Sequence, residues 1–296
     1  MSLYPTSVAI NDATLARLTS TLKGSYKDIV QQILTATNFG IANRKQILAQ
    51  IETHLEDMGV NVDEFLAAEI PNYYKQGADE AIKQLNNVGA PINVKAGFAR
   101  VHKDAIEALV SDTSTSFGET ITGVSRSANQ LLGVATRKML TQKIATGVTG
   151  GEALRQVKQQ IKGVLQEQGL DTLIDKGGNS WSLDRYSEML FRTKAVEARN
   201  RGLINRIAEN EYDLVQVSSH GADDVCGDWE GVILSITGDT PGYETVDDAE
   251  ADGLFHPNCK HALNAIIPSL AEQTNAYDPD VDTLSPEDAE LPDGTF

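Results

Sequence analysis

The spacing of apolar residues changes once along this chain, close to Tyr212, and that change limits the folds open to it. Before Tyr212, apolar residues recur every three or four positions in long runs, which is the pattern of amphipathic helices. After Tyr212 come short alternating stretches separated by turns rich in glycine, which is the pattern of strands. We therefore predict an α+β protein, with a mainly α-helical N-terminal region followed by a small α+β domain.

The N-terminal part is predicted to form a series of separate helices. They span 12–37, with Asp12 as N-cap; 47–59, ended near Gly59; 61–70, stopped before Pro71; 74–89; 98–146; 150–168, opened by a capping box of Thr149 and Glu152; and 183–210, capped by Ser182. Gly59 and Pro71 are taken as breaks because both residue types disfavour the interior of a helix.

The part after Tyr212 is predicted to hold short elements only. Strands are expected over 212–218 and 232–236. Thr245 is expected to cap a one-turn helix that ends before Gly253, and Pro257 to begin a last helix that runs through residue 267.

Length and composition suggest three parts. A chain of 296 residues is long enough for about two domains. We assign an α-helical region to 1–178 and a small α+β domain, which holds the cysteines and most of the histidines, to 179–268. Residues 269–296 form an acidic tail, which we predict to be disordered because residues 271–296 carry eight acidic side chains and no basic one.

The net charge of −17 is distributed unevenly. Residues 1–211 carry 23 acidic and 24 basic side chains, whereas residues 212–296 carry 19 acidic side chains and only Lys260 as a basic one. Affinity for duplex DNA depends on lysine and arginine neutralising phosphates, so we expect no tight duplex DNA binding. No apolar run approaches the length of a membrane helix and no secretory signal is visible, so we expect no membrane association and folding in a cytosol.

Both cysteines and three of the five histidines fall between residues 218 and 265. Cys226, His256, Cys259 and His261 supply two thiols and two imidazoles, the ligand types of a tetrahedral zinc site. Their spacing is not that of a standard zinc finger, so packing of small buried cysteines and a disulfide between them remain alternatives. A nucleophilic cysteine is a further alternative, with a base and an orienting carboxylate drawn from His220, His256, Asp224 and Asp228.

Two other residues have a functional and a structural interpretation. Trp229 could contact a partner, but a tryptophan is usually well buried, and we predict that it packs in the core of the small domain. Arg192 could contact a phosphate, but we prefer a buried ion pair between Arg192 and the acidic C-terminal half.

The same region carries a resemblance to a known family. The strings HGADDVCGDWEG, SITG, GYETVDDAE and GLFHPNCKH resemble the signature of the phage minor capsid protein 2 family. More distantly the chain is similar to head-morphogenesis proteins of the phage Mu type, which share an Arg-Thr helix and a closing His-Pro-Asn-Cys element. The matching residues here are Arg192 and Thr193, then 256–259. Proteins of the Mu type often have a cysteine shortly after that element, where this chain has His261.

The resemblance implies a structural role. It implies a minor capsid or head-morphogenesis protein that acts at or near the portal during head assembly, with the portal and other capsid proteins as partners. Its expected location is the host cytoplasm during assembly and then the virion, near the portal vertex. No catalytic residues are expected, and zinc is the only cofactor considered. The alternatives are a thiol- or metal-dependent hydrolase built on residues 220–261 and an effector delivered with the genome.

Overall fold

The computed structural model describes residues 4–36, 39, 41–92, 98–146, 150–167, 173–174 and 180–267. Six α-helices lie in this part of the chain. They are α1 (Asp12–Thr35), α2 (Ile41–Asn87), α3 (Phe98–Thr146), α4 (Gly150–Glu167), α5 (Leu183–Glu209) and α6 (Val246–Ala251). Five short strands accompany them: β1 (Leu173–Ile174), β2 (Ser180–Trp181), β3 (Leu214–Val217), β4 (Ile233–Ser235) and β5 (Leu263–Ala265). The fold is α+β, as predicted.

Helix α2 corrects the prediction of three separate helices between residues 47 and 89. It runs without a break through Gly59 and Pro71. Its buried side chains follow one another at three- and four-residue spacing, and they include Met58, Val62 and Ile70 on either side of the predicted breaks. Burying this continuous apolar stripe outweighs the intrinsic cost of one glycine and one proline inside the helix.

Helices α1, α3 and α4 are close to the predicted bounds, while two caps differ from the prediction. Asn11, and not Asp12, caps α1, because its Oδ1 accepts the Ala13 N–H at 2.8 Å. Ser182 precedes α5 as predicted, but its hydroxyl donates to Asp184 Oδ1 at 2.5 Å and makes no bond to the helix backbone. The predicted cap residue Thr149 lies outside the described residues.

Helices α1, α2, α3 and α5 pack around one large apolar core. Phe191 of α5 is fully buried there, with its ring 5.3 Å from that of Phe65 and 5.9 Å from that of Tyr73, measured between centroids. The core takes in residues from both α2 and the first half of α5, so the helical packing continues past residue 178. The three-part division of the chain stays a prediction.

Two glycines set the distance between α2 and α5. A Cβ atom on Gly77 would lie 1.8 Å from the carbonyl oxygen of Arg199, and one on Gly202 would lie 2.0 Å from the carbonyl oxygen of Tyr74. Each helix therefore presents bare backbone to the other at this crossing. Such a close approach fixes the position of α5, on which the C-terminal sheet rests.

The C-terminal sheet has three antiparallel strands in the order β4-β3-β5. Strands β3 and β4 and helix α6 lie within the predicted segments, and Thr245 caps α6 in a capping box with Asp248. The predicted helix after Pro257 is wrong: this segment turns and then forms β5, with Val217 opposite Leu263 and Val215 opposite Ala265. All three residues of β5 are buried, so the apolar run is that of a strand covered on both faces, which periodicity cannot distinguish from a buried helix.

Side-chain amides from two helices complete the outer edge of β5. Gln84 of α2 accepts the Ala265 N–H at 2.7 Å and donates to Asn264 Oδ1 at 3.0 Å. Asn200 of α5 accepts the Leu263 N–H at 3.1 Å. These buried amides satisfy backbone groups that would otherwise be unpaired, and they join the sheet to the helices.

The first described residues also reach this sheet. The Val8 N–H donates to the Lys260 carbonyl at 3.0 Å, and the Ser218 hydroxyl donates to the Thr6 carbonyl at 2.8 Å. Within the described ranges, no helix combines the length and apolar character that crossing a membrane requires. The predicted acidic tail at 269–296 lies outside the described residues.

Candidate functional site: a cysteine–histidine cluster

The sheet brings together two loops that are far apart in the sequence. Because β3 and β5 are antiparallel neighbours, the loop that leaves β3 and the loop that enters β5 meet at the same end of the sheet. The first loop holds Cys226, which precedes a 3-10 turn at Gly227–Trp229. The second holds Cys259, close to two residues in the left-handed backbone region, Phe255 and Asn258, with φ of 63° and 68°.

The two cysteines lie side by side at this end of the sheet. Their Sγ atoms are 3.6 Å apart, and both thiols are free. Cys226 is fully buried and Cys259 is 6% exposed. Burial, together with the neighbouring Cys226, raises the pKa of the Cys259 thiol to about 12. A thiol held protonated in this way is a poor nucleophile at neutral pH.

His261, two residues before β5, faces the sulfur of Cys259. Its Nδ1 lies 3.2 Å from Cys259 Sγ, and its Nε2 lies 3.1 Å from Glu230 Oε1. Burial lowers the pKa of His261, although the hydrogen bond to Glu230 acts in the opposite direction. An ionised carboxylate can only accept, so Nε2 carries the proton and the lone pair of Nδ1 points at the sulfur.

Glu230 is held by the loop that follows β3. It accepts the N–H groups of His220, Ala222 and Gly221 at 2.8, 3.0 and 3.1 Å. These bonds, the one from the His220 N–H foremost, lower the pKa of Glu230 to about 2, so the carboxylate is charged at neutral pH. The His220 ring stacks on that of His261 with 4.2 Å between the centroids.

His256 approaches the cluster from the solvent side. Its Nε2 lies 3.0 Å from Asp224 Oδ2, and its Nδ1 lies 2.9 Å from the Pro257 carbonyl oxygen. Asp224 also accepts the Cys226 N–H at 3.0 Å, and this hydrogen bond, with the charge of His256, lowers the pKa of Asp224. One carboxylate thus links the two loops.

Two neighbouring sets of side chains, with no residue in common, could hold a metal. Ligand atoms of Cys226, His256 and Cys259 lie within 4.8 Å of one another, and so do those of His220, Glu230 and His261. The structure therefore brings all four residues of the predicted zinc set to one end of the sheet, with His261 at contact distance from Cys259 Sγ. Whether they bind zinc stays a prediction.

The sequence did not indicate Glu230 as part of the site. Its role depends on three backbone N–H groups that converge only once the loop has folded, and no spacing in the sequence marks that convergence. Trp229 is half-buried and packs against the core of the sheet, as predicted.

The buried arginine of α5 is not the one that the sequence suggested. The preferred ion pair of Arg192 is absent among the described residues. Instead Arg199, which is 1% exposed, pairs with Glu80 of α2 and donates to the Leu263 carbonyl at 2.5 Å. The partner is an acidic residue of the helical region, because α5 lies against α2 along this face.

Thr193 links the two halves of the sequence signature. Its Oγ1 accepts the Asn258 N–H at 3.1 Å and donates to the Met189 carbonyl at 2.9 Å. The threonine of the Arg-Thr helix therefore holds the turn that contains His256, Pro257, Asn258 and Cys259. The Arg-Thr helix and the His-Pro-Asn-Cys turn are therefore in direct contact, and this contact fixes the turn that carries Cys259.

Comparison with known proteins identifies the class of this protein. The family model described as phage minor capsid protein 2 matches residues 40–290, which take in most of the helical core and the whole cluster. A protein named "Structural protein" from Lactococcus phage LL-H is 30% identical over 101 residues, which are 31% of this chain and 27% of that protein. The match thus spans about a quarter of that relative's length. No solved structure matches this chain.

These matches identify the chain as a structural protein of bacteriophage virions. It belongs to the phage minor capsid protein 2 family, as the resemblance in its C-terminal third indicated.

Proposed function

We propose that this chain is a minor component of the phage head that acts at or near the portal during head assembly. The family match over residues 40–290 is the observation that carries this proposal. The chain would fold in the host cytoplasm, join the assembling head, and remain in the virion near the portal vertex. Its partners would be the portal and other capsid proteins.

The structure supports a role in contacts between proteins. Helices α2 and α3 are 47 and 49 residues long, so each extends about 70 Å and offers a long side surface. Large apolar side chains are exposed at Ile41 and Val60 on α2 and at Val101 and Val134 on α3. Long helices with exposed apolar residues suit docking against helices of another protein.

The proposal includes no catalytic step. The two thiols are buried, and the pKa of Cys259 is raised to about 12, which is the opposite of what a nucleophilic cysteine needs. A hydrolase built on residues 220–261 would need an accessible reactive thiol or a metal with an open coordination position.

Co-expression with the portal protein of the same phage tests the proposal. We expect the full chain to co-purify with the portal, and to do so equally well after removal of residues 269–296. Replacing Val134, which is 47% exposed, with Asp tests the helical surface, and the same change at Val225, 50% exposed beside the cluster, is its matched control. Loss of the complex with V134D alone would assign the contact to α3.

A second measurement separates the proposal from its alternatives. A gel shift with duplex DNA at physiological salt should show no complex at micromolar protein, given the −18 charge balance of residues 212–296. Tight DNA binding without portal association would overturn the proposal. Mass spectrometry of virions before and after genome ejection should find the chain in both samples, whereas loss on ejection would favour a delivered effector.

A further inference from the structure

We propose that the cluster is a structural zinc site, with Cys226, Cys259, His256 and His261 as ligands and Asp224 and Glu230 as the carboxylates that orient the histidines. The inference concerns the chemistry of the site and does not depend on which head protein the chain contacts. Four observations carry it: the distances between the ligand atoms, the orientation of the rings, the burial of the thiols, and the convergence of two distant loops.

The distances match a tetrahedral ion. Two sulfurs that share a zinc lie about 3.8 Å apart, and a sulfur and a nitrogen about 3.5 Å apart, because Zn–S and Zn–N bonds are about 2.3 and 2.0 Å long. Here the two Sγ atoms are 3.6 Å apart, and Cys259 Sγ is 3.2 Å from His261 Nδ1. A ligand atom of His256 lies within 4.8 Å of both sulfurs. His261 lies outside that set of three, so admitting the ion requires its ring to move relative to the other ligands.

The carboxylates hold the rings in the orientation that a metal requires. A histidine ligand usually donates its other ring N–H to a carboxylate, which fixes the tautomer. His261 does this with Glu230 at 3.1 Å, and its free Nδ1 faces the sulfur. His256 has the same relation to Asp224 at 3.0 Å, and ligation through its Nδ1 would replace the contact of that atom with the Pro257 carbonyl.

The competing set of His220, Glu230 and His261 is a weaker candidate. Glu230 already accepts three backbone N–H groups and a hydroxyl from Ser219 at 3.1 Å, so its oxygens are engaged in holding the loop. That set also contains no thiolate, while zinc favours sulfur and imidazole ligands. Glu230 therefore acts as a positioning residue for His261.

A closed site with four protein ligands leaves no position for a substrate, so its role would be structural. The ion would join the loop after β3 to the turn before β5, across 33 residues of chain. It would also stabilise the turn that Thr193 holds from α5.

Metal content of the full chain tests the site directly. Protein expressed with added zinc and purified without chelator should contain about one equivalent of zinc. Cys226→Ser and Cys259→Ser should each lower this below about one tenth of an equivalent. The matched control is His220→Ala, which removes a ring that stacks on His261 but touches neither sulfur, and it should keep the zinc.

Cobalt spectroscopy of the unmodified chain keeps the test independent of whether the serine variants fold. Co²⁺ added to metal-free protein should give thiolate-to-cobalt charge-transfer absorption and the visible bands of a tetrahedral ion. In Glu230→Gln and Asp224→Asn the same bands should appear, with affinity for zinc lowered about 10- to 100-fold.

Two results would overturn the proposal. One is zinc below about one tenth of an equivalent in the unmodified chain, together with no thiolate band on addition of Co²⁺. The other is a metal that persists in Cys226→Ser and is lost in His220→Ala, because that pattern would assign the ion to His220, Glu230 and His261.

Discussion

At the scale of single residues, the side chain of Gln84 takes the place of a neighbouring strand. Its amide oxygen accepts the Ala265 N–H and its nitrogen donates to Asn264 Oδ1, although Gln84 belongs to α2, 180 residues earlier in the sequence. The residue is 1% exposed, so water cannot replace either bond. A buried polar group of this kind contributes most through what its loss would leave unpaired.

Replacing Gln84 with Leu should therefore lower the free energy of unfolding by about 1–3 kcal/mol, because the Ala265 N–H would stay buried without an acceptor. Urea denaturation followed by circular dichroism measures this. The control is Gln46→Leu, an exposed position on the same helix, which should change stability by less than about 0.5 kcal/mol. Equal effects at the two positions would show that the amide bonds do not contribute.

At the scale of elements, the crossing of α2 and α5 depends on the absence of side chains at Gly77 and Gly202. Replacing Gly77 with Ala would place a methyl group 1.8 Å from a backbone carbonyl oxygen, and neither helix can move without opening the core around Phe191. We expect a loss of about 1–3 kcal/mol or more, measured as a lower urea midpoint.

The matched control for that prediction is Gly118→Ala on α3. Gly118 is exposed and an added Cβ there meets nothing within 4 Å. Because alanine is the better helix former, this variant should gain about 0.5–1 kcal/mol. A Gly77→Ala variant as stable as the parent would mean that the helices cross at a greater distance than described.

A second element-scale prediction concerns Asp213, which ties the turn after β4 to the start of β3. Burial acts to raise the pKa of Asp213, but hydrogen bonds from Ser235, Thr240 and Thr237 outweigh it and the pKa is lowered. A depressed folded-state pKa stabilises the fold above the unfolded value of about 3.9, and the stabilisation is lost as pH falls through the folded value.

The urea midpoint of the parent protein should therefore decrease as pH is lowered below about 4, and this decrease should be smaller in Asp213→Asn. Above that pH the variant should be the less stable of the two, because the neutral amide accepts the same donors more weakly. Parallel curves for the two proteins over the whole acid range would contradict this assignment.

Sequence patterns predicted the elements whose stability is local and missed those that depend on distant partners. The bounds of α3 and the Thr245 cap of α6 follow from periodicity and capping chemistry. The continuity of α2 through Pro71 and the strand at β5 depend on what packs against them. In the site, the cysteines and histidines could be predicted from the sequence because these residues are rare and typically bind metals. Glu230 could not, because its contacts form only when the loop after β3 has folded.

At the scale of the whole molecule, α5 belongs to two cores. Its first half, with Leu183 and Phe191, packs in the helical core, and its second half, with Leu203 and Ile207, packs under the sheet. Arg199 lies between them and bonds to both Glu80 and the Leu263 carbonyl. If α5 detached from one core, the apolar residues that it buries in the other core would also become exposed to solvent.

We therefore expect the helices and the sheet to unfold together. In a Trp181→Phe background, fluorescence of Trp229 reports on the sheet, while circular dichroism at 222 nm reports mainly on the helices. The two urea transitions should coincide. Separate transitions would instead support independent domains with a boundary near residue 178, as the sequence alone suggested.

The closed edges of the small sheet have a consequence for copies of this chain that meet one another in solution. At the β5 edge, the side chains of Gln84 and Asn200 accept hydrogen bonds from the backbone N–H groups of the strand. At the other edge, the Ser235 N–H of the three-residue strand β4 donates to the Glu244 carbonyl. An open, longer edge would be a template for strand addition and cross-β aggregation. With these edges filled or short, the sheet gives newly made copies little opportunity to polymerise with one another, and the exposed surfaces of the helices stay available for ordered association.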